Sequence, residues 1–197
     1  MTTAIIDPAS ADVDTGETLG AETGAGADAG VETGSPDFDP RELRDALGQF
    51  ATGVVVITTV TPEGEFVGVT ANSFTSVSLD PPLVLWCPGR HLRSLPHFER
   101  AERFAINVLA SEQHELSRRF ATPDGDKFSG VPVRVGLGGV PVLEGALATF
   151  ECRTTALHEA GDHVIHLGHV ERFRHDPAKP LVFHGGRYHE AARHDAG

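Results

Sequence analysis

Leu147-Ala148-Thr149-Phe150-Glu151-Cys152-Arg153-Thr154-Thr155-Ala156-Leu157-His158 and His163-Val164-Ile165-His166-Leu167-Gly168-His169-Val170-Glu171-Arg172-Phe173-Arg174-His175 flank the short stretch Glu159-Ala160-Gly161-Asp162. Both arms are rich in Thr, Val, Ile and Phe, and a Gly-Asp pair supplies the turn between them, so the segment reads as a long β-hairpin. A second hairpin follows, with Leu181-Val182-Phe183-His184 and Arg187-Tyr188-His189-Glu190 on either side of Gly185-Gly186. Upstream, Val54-Val55-Val56-Ile57-Thr58-Thr59-Val60 is a β-branched run of the kind found in buried strands, and the turn Pro62-Glu63-Gly64-Glu65 returns the chain into a strand over residues 66–71. Residues 83–87 and 103–109 read as further strands.

Helical signals are fewer. Asp39-Pro40-Arg41-Glu42 places an N-cap acid, a proline at the first helical position and a Glu at the third. Leu43, Leu47 and Phe50 then share one helical face, and Gly53 can end the helix. A short helix fits residues 111–120 with Ser111 as its cap. Strands joined mainly by hairpins argue against a doubly wound parallel sheet. The expected fold is mostly β: a six-stranded antiparallel split β-barrel with a few short helices, in which closure removes exposed edges.

The 197 residues and 40% hydrophobic content suit one full domain plus a tail. Residues 1–40 carry nine acids and no Lys or Arg, which leaves the remainder near −3 of the total −12. Residues 1–36, rich in Ala, Gly, Thr, Asp and Glu, bury too little to offset ordering entropy and are expected to be a disordered acidic tail. The folded domain is expected over residues 37–191, with a C-terminal tail at 192–197. No basic face invites nucleic acid, and no apolar run is long enough for a membrane helix. With no signal-peptide pattern and no CxxC, a cytoplasmic location is expected.

Three segments are candidates for chemistry. In Gly68-Val69-Thr70-Ala71-Asn72-Ser73-Phe74-Thr75-Ser76-Val77-Ser78-Leu79-Asp80-Pro81-Pro82-Leu83, small side chains let a planar ring approach the backbone. Thr70, Asn72, Ser73, Thr75, Ser76 and Ser78 add donors and acceptors, although a polar loop with satisfied turns is the plainer reading. In Trp86-Cys87-Pro88-Gly89-Arg90-His91-Leu92-Arg93-Ser94, the cations Arg90 and Arg93 with Ser94 near a helix start suit a phosphate, and a solvated loop is an even alternative. There is no P-loop and no Rossmann glycine pattern. In the third, His163, His166 and His169 recur every three residues. On a strand, with its period of two, His163 and His169 face one side and His166 the other, so they cannot converge on a metal, and none is expected. His163, at the mouth of the hairpin, is best placed to meet a ligand. Cys87 and Cys152, in strand-like apolar surroundings, read as inert thiols, and no nucleophile elbow is present.

Five stretches together resemble the short-chain flavin reductases, the reductase components of two-component flavin-dependent monooxygenases. They are Arg44-Asp45-Ala46-Leu47-Gly48-Gln49-Phe50-Ala51-Thr52-Gly53, the segment from Thr70 to Pro82, Arg103-Phe104-Ala105-Ile106-Asn107-Val108-Leu109, Asp126-Lys127-Phe128 and Gly161-Asp162-His163. The resemblance runs from about Phe38 to Tyr188. It implies an FMN-binding split barrel, usually a homodimer with flavin near the subunit interface. It further implies that Thr70, Ala71, Asn72, Ser73, Phe74, Thr75, Ser76 and Ser78 line the isoalloxazine edge. Cys87, Pro88, Arg90, His91, Arg93 and Ser94 would reach the ribityl and phosphate groups, Phe104 and Ala105 would border the flavin, and Tyr188 would lie near it. His163 would be the catalytic histidine, contacting the nicotinamide nucleotide.

The implied reaction is hydride transfer from NADH or NADPH to FMN or FAD, with reduced flavin diffusing to a separate oxygenase or halogenase. Gly89-Arg90-His91-Leu92 departs from the Ser, Thr or Asn that relatives often carry, which bears on the phosphate contacts and on the choice of flavin. A flavin carrier or redox sensor without turnover is the alternative on the same fold, and an oxidase acting directly on an organic substrate is a third reading.

Overall fold

The computed structural model describes residues 39–192. The tail expected over residues 1–36 lies outside the described residues, as do the last five. In chain order the elements are α1 (Pro40–Gly48), β1 (Thr52–Gly53), β2 (Val55–Val60), β3 (Phe66–Ala71), β4 (Thr75–Leu79), β5 (Pro82–Trp86), α2 (Leu95–Arg100) and β6 (Arg103–Val108). They continue with α3 (His114–Ala121), β7 (Val133–Val135), β8 (Pro141–Leu143), β9 (Ala148–Ala160), β10 (His163–His175), β11 (Leu181–His184) and β12 (Arg187–Glu190). The main sheet has seven antiparallel strands in the order β3-β2-β6-β9-β10-β5-β4. The seventh is β4: residues expected to form a loop pair with β5, because the Asp80-Pro81 turn folds one onto the other.

The order of strands dictates the curvature. β3 and β4 end the sheet on opposite edges, yet only Asn72-Ser73-Phe74 joins them. Three residues span little more than about 10 Å, so the sheet must curl until its edges meet. The Ser73 hydroxyl extends the β4–β5 pairing into this link, accepting from the Cys87 N–H at 3.0 Å and donating to the Cys87 carbonyl at 3.2 Å. β3 and β4 are not hydrogen-bonded to each other, so the barrel is split and both edges persist there.

Strand alternation sorts the side chains. Val55, Ile57, Val69, Ala71, Val84, Trp86, Phe104, Ile106 and Cys152 fill the barrel, joined by Phe98 from α2. Val54 and Val56, on the other face of the same run, pack with Leu109, Phe120, Leu143 and Leu181 beneath α3. Burial on both faces explains why Val54 to Ile57 is unbroken by polar residues. His166 lies inside the barrel, edge-on to Phe104 at 4.8 Å, with Nε2 on the Phe98 carbonyl at 3.2 Å. His163 and His169 sit at the alternate, half-buried positions, and no metal-binding group occurs among the described residues.

β9 and β10 outrun their neighbours. β9 pairs with β6 only over residues 148–153, and β10 pairs with β5 only over 166–169. The turn end is therefore a two-stranded ribbon projecting from the barrel.

Three local expectations are corrected. The Asp39 cap and Pro40 start α1 as expected, with Asp39 Oδ1 accepting from the Arg41 N–H at 2.8 Å. The helix stops at Gly48, well before Gly53, and its Leu43 and Leu47 stay exposed, as does Phe50 beyond its end. Ser111 is not a cap: it begins a 3-10 turn, and the Gln113 side chain instead accepts from the Ala110 N–H at 3.0 Å. The long hairpin turns on Gly161-Asp162 alone, with Glu159 and Ala160 still in β9.

Glu151 is a buried anion on the outer face of β9. It accepts from Arg134, Arg172 and the Leu137 N–H. Burial alone would raise its pKa, but these donors outweigh it and hold the carboxyl at about 2. Because the folded value lies below the ordinary 4.5, its stabilisation is complete above that pH and is lost as the pH falls toward 2. Glu151→Gln is expected to cost about 2 kcal/mol at neutral pH, since it leaves partly exposed arginines short of a partner. The gap between the two proteins in chemical denaturation should narrow as the pH falls below 4.5 and close toward pH 2.

Gly68 has a different constraint: a Cβ there would lie 2.5 Å from the Phe120 ring. Gly68→Ala should lower stability by about 1–3 kcal/mol, read from the denaturant midpoint.

Candidate functional site

Two of the candidate segments are stitched together at one end of the barrel. Residues 87–90 lie along the tip of the β9–β10 ribbon: the Val164 N–H donates to the Pro88 carbonyl at 3.0 Å and the Arg90 N–H to the Asp162 carbonyl at 2.8 Å, while Gly89 bridges His163. Arg90 also reaches Glu159 at 3.3 Å. The Ser73–Cys87 bonds bring the third segment to the same place. Asn72, Ser73, the 87–90 loop and the Gly161-Asp162-His163 turn thus meet at the split of the barrel.

At this junction the His163 side chain is 15% exposed, with Nδ1 at 2.7 Å from Asp162 Oδ1. A carboxylate only accepts, so Nδ1 carries a proton and points it at Asp162. That hydrogen bond from His163 also holds the Asp162 carboxyl below the usual range. Cys87 is half-buried, and burial pushes its thiol up. Cys152, in the core, is pushed up to about 12 by burial, with Glu171 and Glu151 adding to the effect. Neither is a ready nucleophile.

From the junction the chain runs along a groove of about 660 Å³, lined by residues 66–69, 91–94, 97 and 121–128. The floor is apolar, with Phe66, Val67, Val69 and Phe128; the rim carries His91, Arg93, His97 and Asp124. Gly89 admits the ring of His91, whose Cε1 would stand 2.6 Å from a Cβ there. Ser94 Oγ is buried without a hydrogen-bond partner. Lys127, half-buried, donates to the carbonyls of Gly68 at 3.3 Å and Phe120 at 3.2 Å; burial lowers its pKa. It ties the loop after α3 to β3 and so fixes one wall.

The other expected site residues lie elsewhere. Thr70 is buried on the outer face of β3, donating to the Ser117 carbonyl at 2.6 Å, and Ala71 is in the barrel interior. Tyr188 meets the Ser117 hydroxyl at 2.9 Å and packs on Phe183, in the layer beneath α3. Phe104 and Ala105 are fully buried: Phe104 fills the barrel and Ala105 packs outward on Val140 and Val142. Phe74 turns into the barrel cluster against Phe150. Thr75 and Ser76 are exposed on the edge strand β4, and Ser78 is half-exposed beside them. Residues 66–69 and 121–128 were absent from the expected set. The one signal for the latter was Asp126-Lys127-Phe128, and Asp126 Oδ1 shapes that turn by accepting from the N–H groups of Phe128 and Ser129.

A family model described as "Flavin reductase like domain" matches residues 47–192. The chain is 50% identical over 153 residues to an FMN reductase (NADH), SmoA, of Agrobacterium fabrum, covering 78% of this chain and 87% of that protein. It is 43% identical over 157 residues to the flavin-dependent monooxygenase reductase subunit HsaB of Mycobacterium tuberculosis, covering 78% and 83%. Among solved structures, the NADH:FAD oxidoreductase SgcE6 of Streptomyces globisporus, in complex with NAD and FAD fragments, superposes with a TM-score of 0.75 at 39% identity, over 83% of this chain and all of that one. The match runs through every strand of the split barrel and takes in both the ribbon tip and the groove, so the chain belongs to the flavin reductase like family.

Proposed function

We propose that this protein is an NADH-dependent flavin reductase that accepts FMN or FAD and releases the reduced flavin to a separate flavin-dependent monooxygenase or halogenase. The observation that carries this reading is the junction itself, where a hydroxyl-rich corner, a cation-bearing loop and the Asp162–His163 pair meet at one end of an amphipathic groove. The relatives support it: their names include an FMN reductase (NADH), a monooxygenase reductase subunit, and BorF, the flavin reductase component of a two-component tryptophan halogenase.

The residues present suit a flavin. The apolar side chains of the groove accept a planar ring, and Arg93 and the unpartnered Ser94 hydroxyl suit a phosphate. The cofactors supply the chemistry, a hydride passing from nicotinamide C4 to flavin N5. The protein orients and shields. Asn72 and Ser73, at the split of the barrel, would border the ring, with their backbone groups available to developing charge. His163, its Nδ1–H held by Asp162, would hydrogen-bond the nicotinamide carboxamide through Nε2. The enzyme is cytoplasmic and homodimeric; the exposed side chains of Phe50, Leu79, Val135 and Phe173 support a second subunit. Among the described residues no helix is long and apolar enough to cross a membrane.

Purified protein should oxidise NADH only when FMN, FAD or riboflavin is added, followed by the loss of nicotinamide absorbance. A yellow protein inert toward NADH and NADPH would overturn the reading in favour of a flavin carrier. His163→Ala should raise KM for NADH about 3- to 10-fold, the worth of one hydrogen bond, while KM for the flavin stays within twofold. Equal effects on both substrates would remove His163 from the nicotinamide.

A further inference from the structure

Across the groove's opening, Arg93 Nη1 lies 2.6 Å from Asp124 Oδ1. The two residues come from opposite walls: Arg93 precedes α2, and Asp124 lies in the loop after α3. Both side chains are about three-quarters exposed, at 74% and 73%. A pair so open to water adds little to stability, so it is a poor brace. The loop does not need one. It is held by Lys127 on two carbonyls, by Asp126 on two N–H groups, and by Arg119 on the Ser129 carbonyl at 2.8 Å.

The pair's position is informative instead. Lys127, the other aliphatic cation lining the groove, is committed to the loop. Arg93 is the guanidinium there, and its planar fork suits a phosphate. Its partner carboxylate occupies the place that a ligand's anion would take.

We propose that Asp124 is a built-in competitor for the flavin phosphate, a specificity-determining residue that holds Arg93 across the groove's opening and yields it only to a phosphorylated flavin. This rests on the reading of the groove as the flavin site. A phosphate monoester carries roughly 1.5 to 2 negative charges at neutral pH against one for the carboxylate, so the exchange favours the ligand. Riboflavin, lacking the phosphate, cannot make the exchange and leaves the pair intact. Asp124 therefore lowers the affinity for FMN while sparing that for riboflavin, and the pair sets the ratio between the two.

The test is a titration of the purified full-length protein with FMN and with riboflavin, followed by flavin fluorescence without nicotinamide, so that it does not depend on turnover. Asp124→Asn should raise the ratio of the riboflavin Kd to the FMN Kd about two- to five-fold at low salt. Added salt should shrink the gain. Arg93→Ala should lower the ratio, and adding Asp124→Asn to it should then change nothing. An unchanged ratio in Asp124→Asn overturns the proposal, as does a gain that survives in the Arg93→Ala background. If wild-type protein binds neither flavin, the groove assignment itself falls; if it binds both but does not oxidise NADH, only the reductase reading falls.

Discussion

The three-residue link Asn72-Ser73-Phe74 is the constraint from which the architecture follows. It joins strands that end opposite edges of a seven-stranded sheet, and no flat arrangement satisfies it. The sheet therefore curls, and Ser73, one step beyond the Thr75–Leu85 pair, carries the β4–β5 pairing up to this link through two hydrogen bonds between its hydroxyl and the Cys87 backbone. The same curl encloses Trp86, Phe104 and His166 and leaves a gap between unpaired edges. A fully closed barrel would have satisfied more backbone groups, but it would have left no seam at which polar loops can gather.

The outer layers depend on the curl in turn. Once the sheet is rolled, its convex face still exposes Val54, Val56 and Ala105, and α3, β8 and β11 cover them. Asn107 ties this layer to the sheet: its amide donates to the Val56 carbonyl at 2.9 Å and accepts from the Leu143 N–H at 2.9 Å. A buried amide with both ends satisfied fixes register as well as adding stability. The groove then forms where this outer layer stops short, between α3 and the segment leading into α2.

Much of this was legible beforehand. Period-two patterning and the Gly-containing turns located both hairpins, and the same period separated His166 from His163 and His169. β4 was hidden because Thr75-Ser76-Val77-Ser78 has the composition of a polar loop, and an edge strand exposed along most of its length gives no burial signal. The exposed face of α1 could not be foreseen either, since amphipathicity shows that a helix has an apolar side but not what lies against it. For the site, residue chemistry singled out the 87–94 loop and His163, which the structure brings to one junction. Phe104, Ala105 and Ala71 were also named, and strand alternation buries all three. Asp124 was not, because it meets Arg93 across 31 residues of sequence.

The overhanging ribbon of β9 and β10 has a further consequence for local stability. Beyond residue 153, β9 has no ladder to β6, and before residue 166, β10 has none to β5, so the tip can open without unravelling the barrel. Its amides should belong to a less protected cooperative unit than those of β2 or β6. The contacts that steady this tip come from Pro88, Gly89 and Arg90, the same loop that continues into the groove. Order in that loop is thereby linked to order in the ribbon tip through these backbone hydrogen bonds.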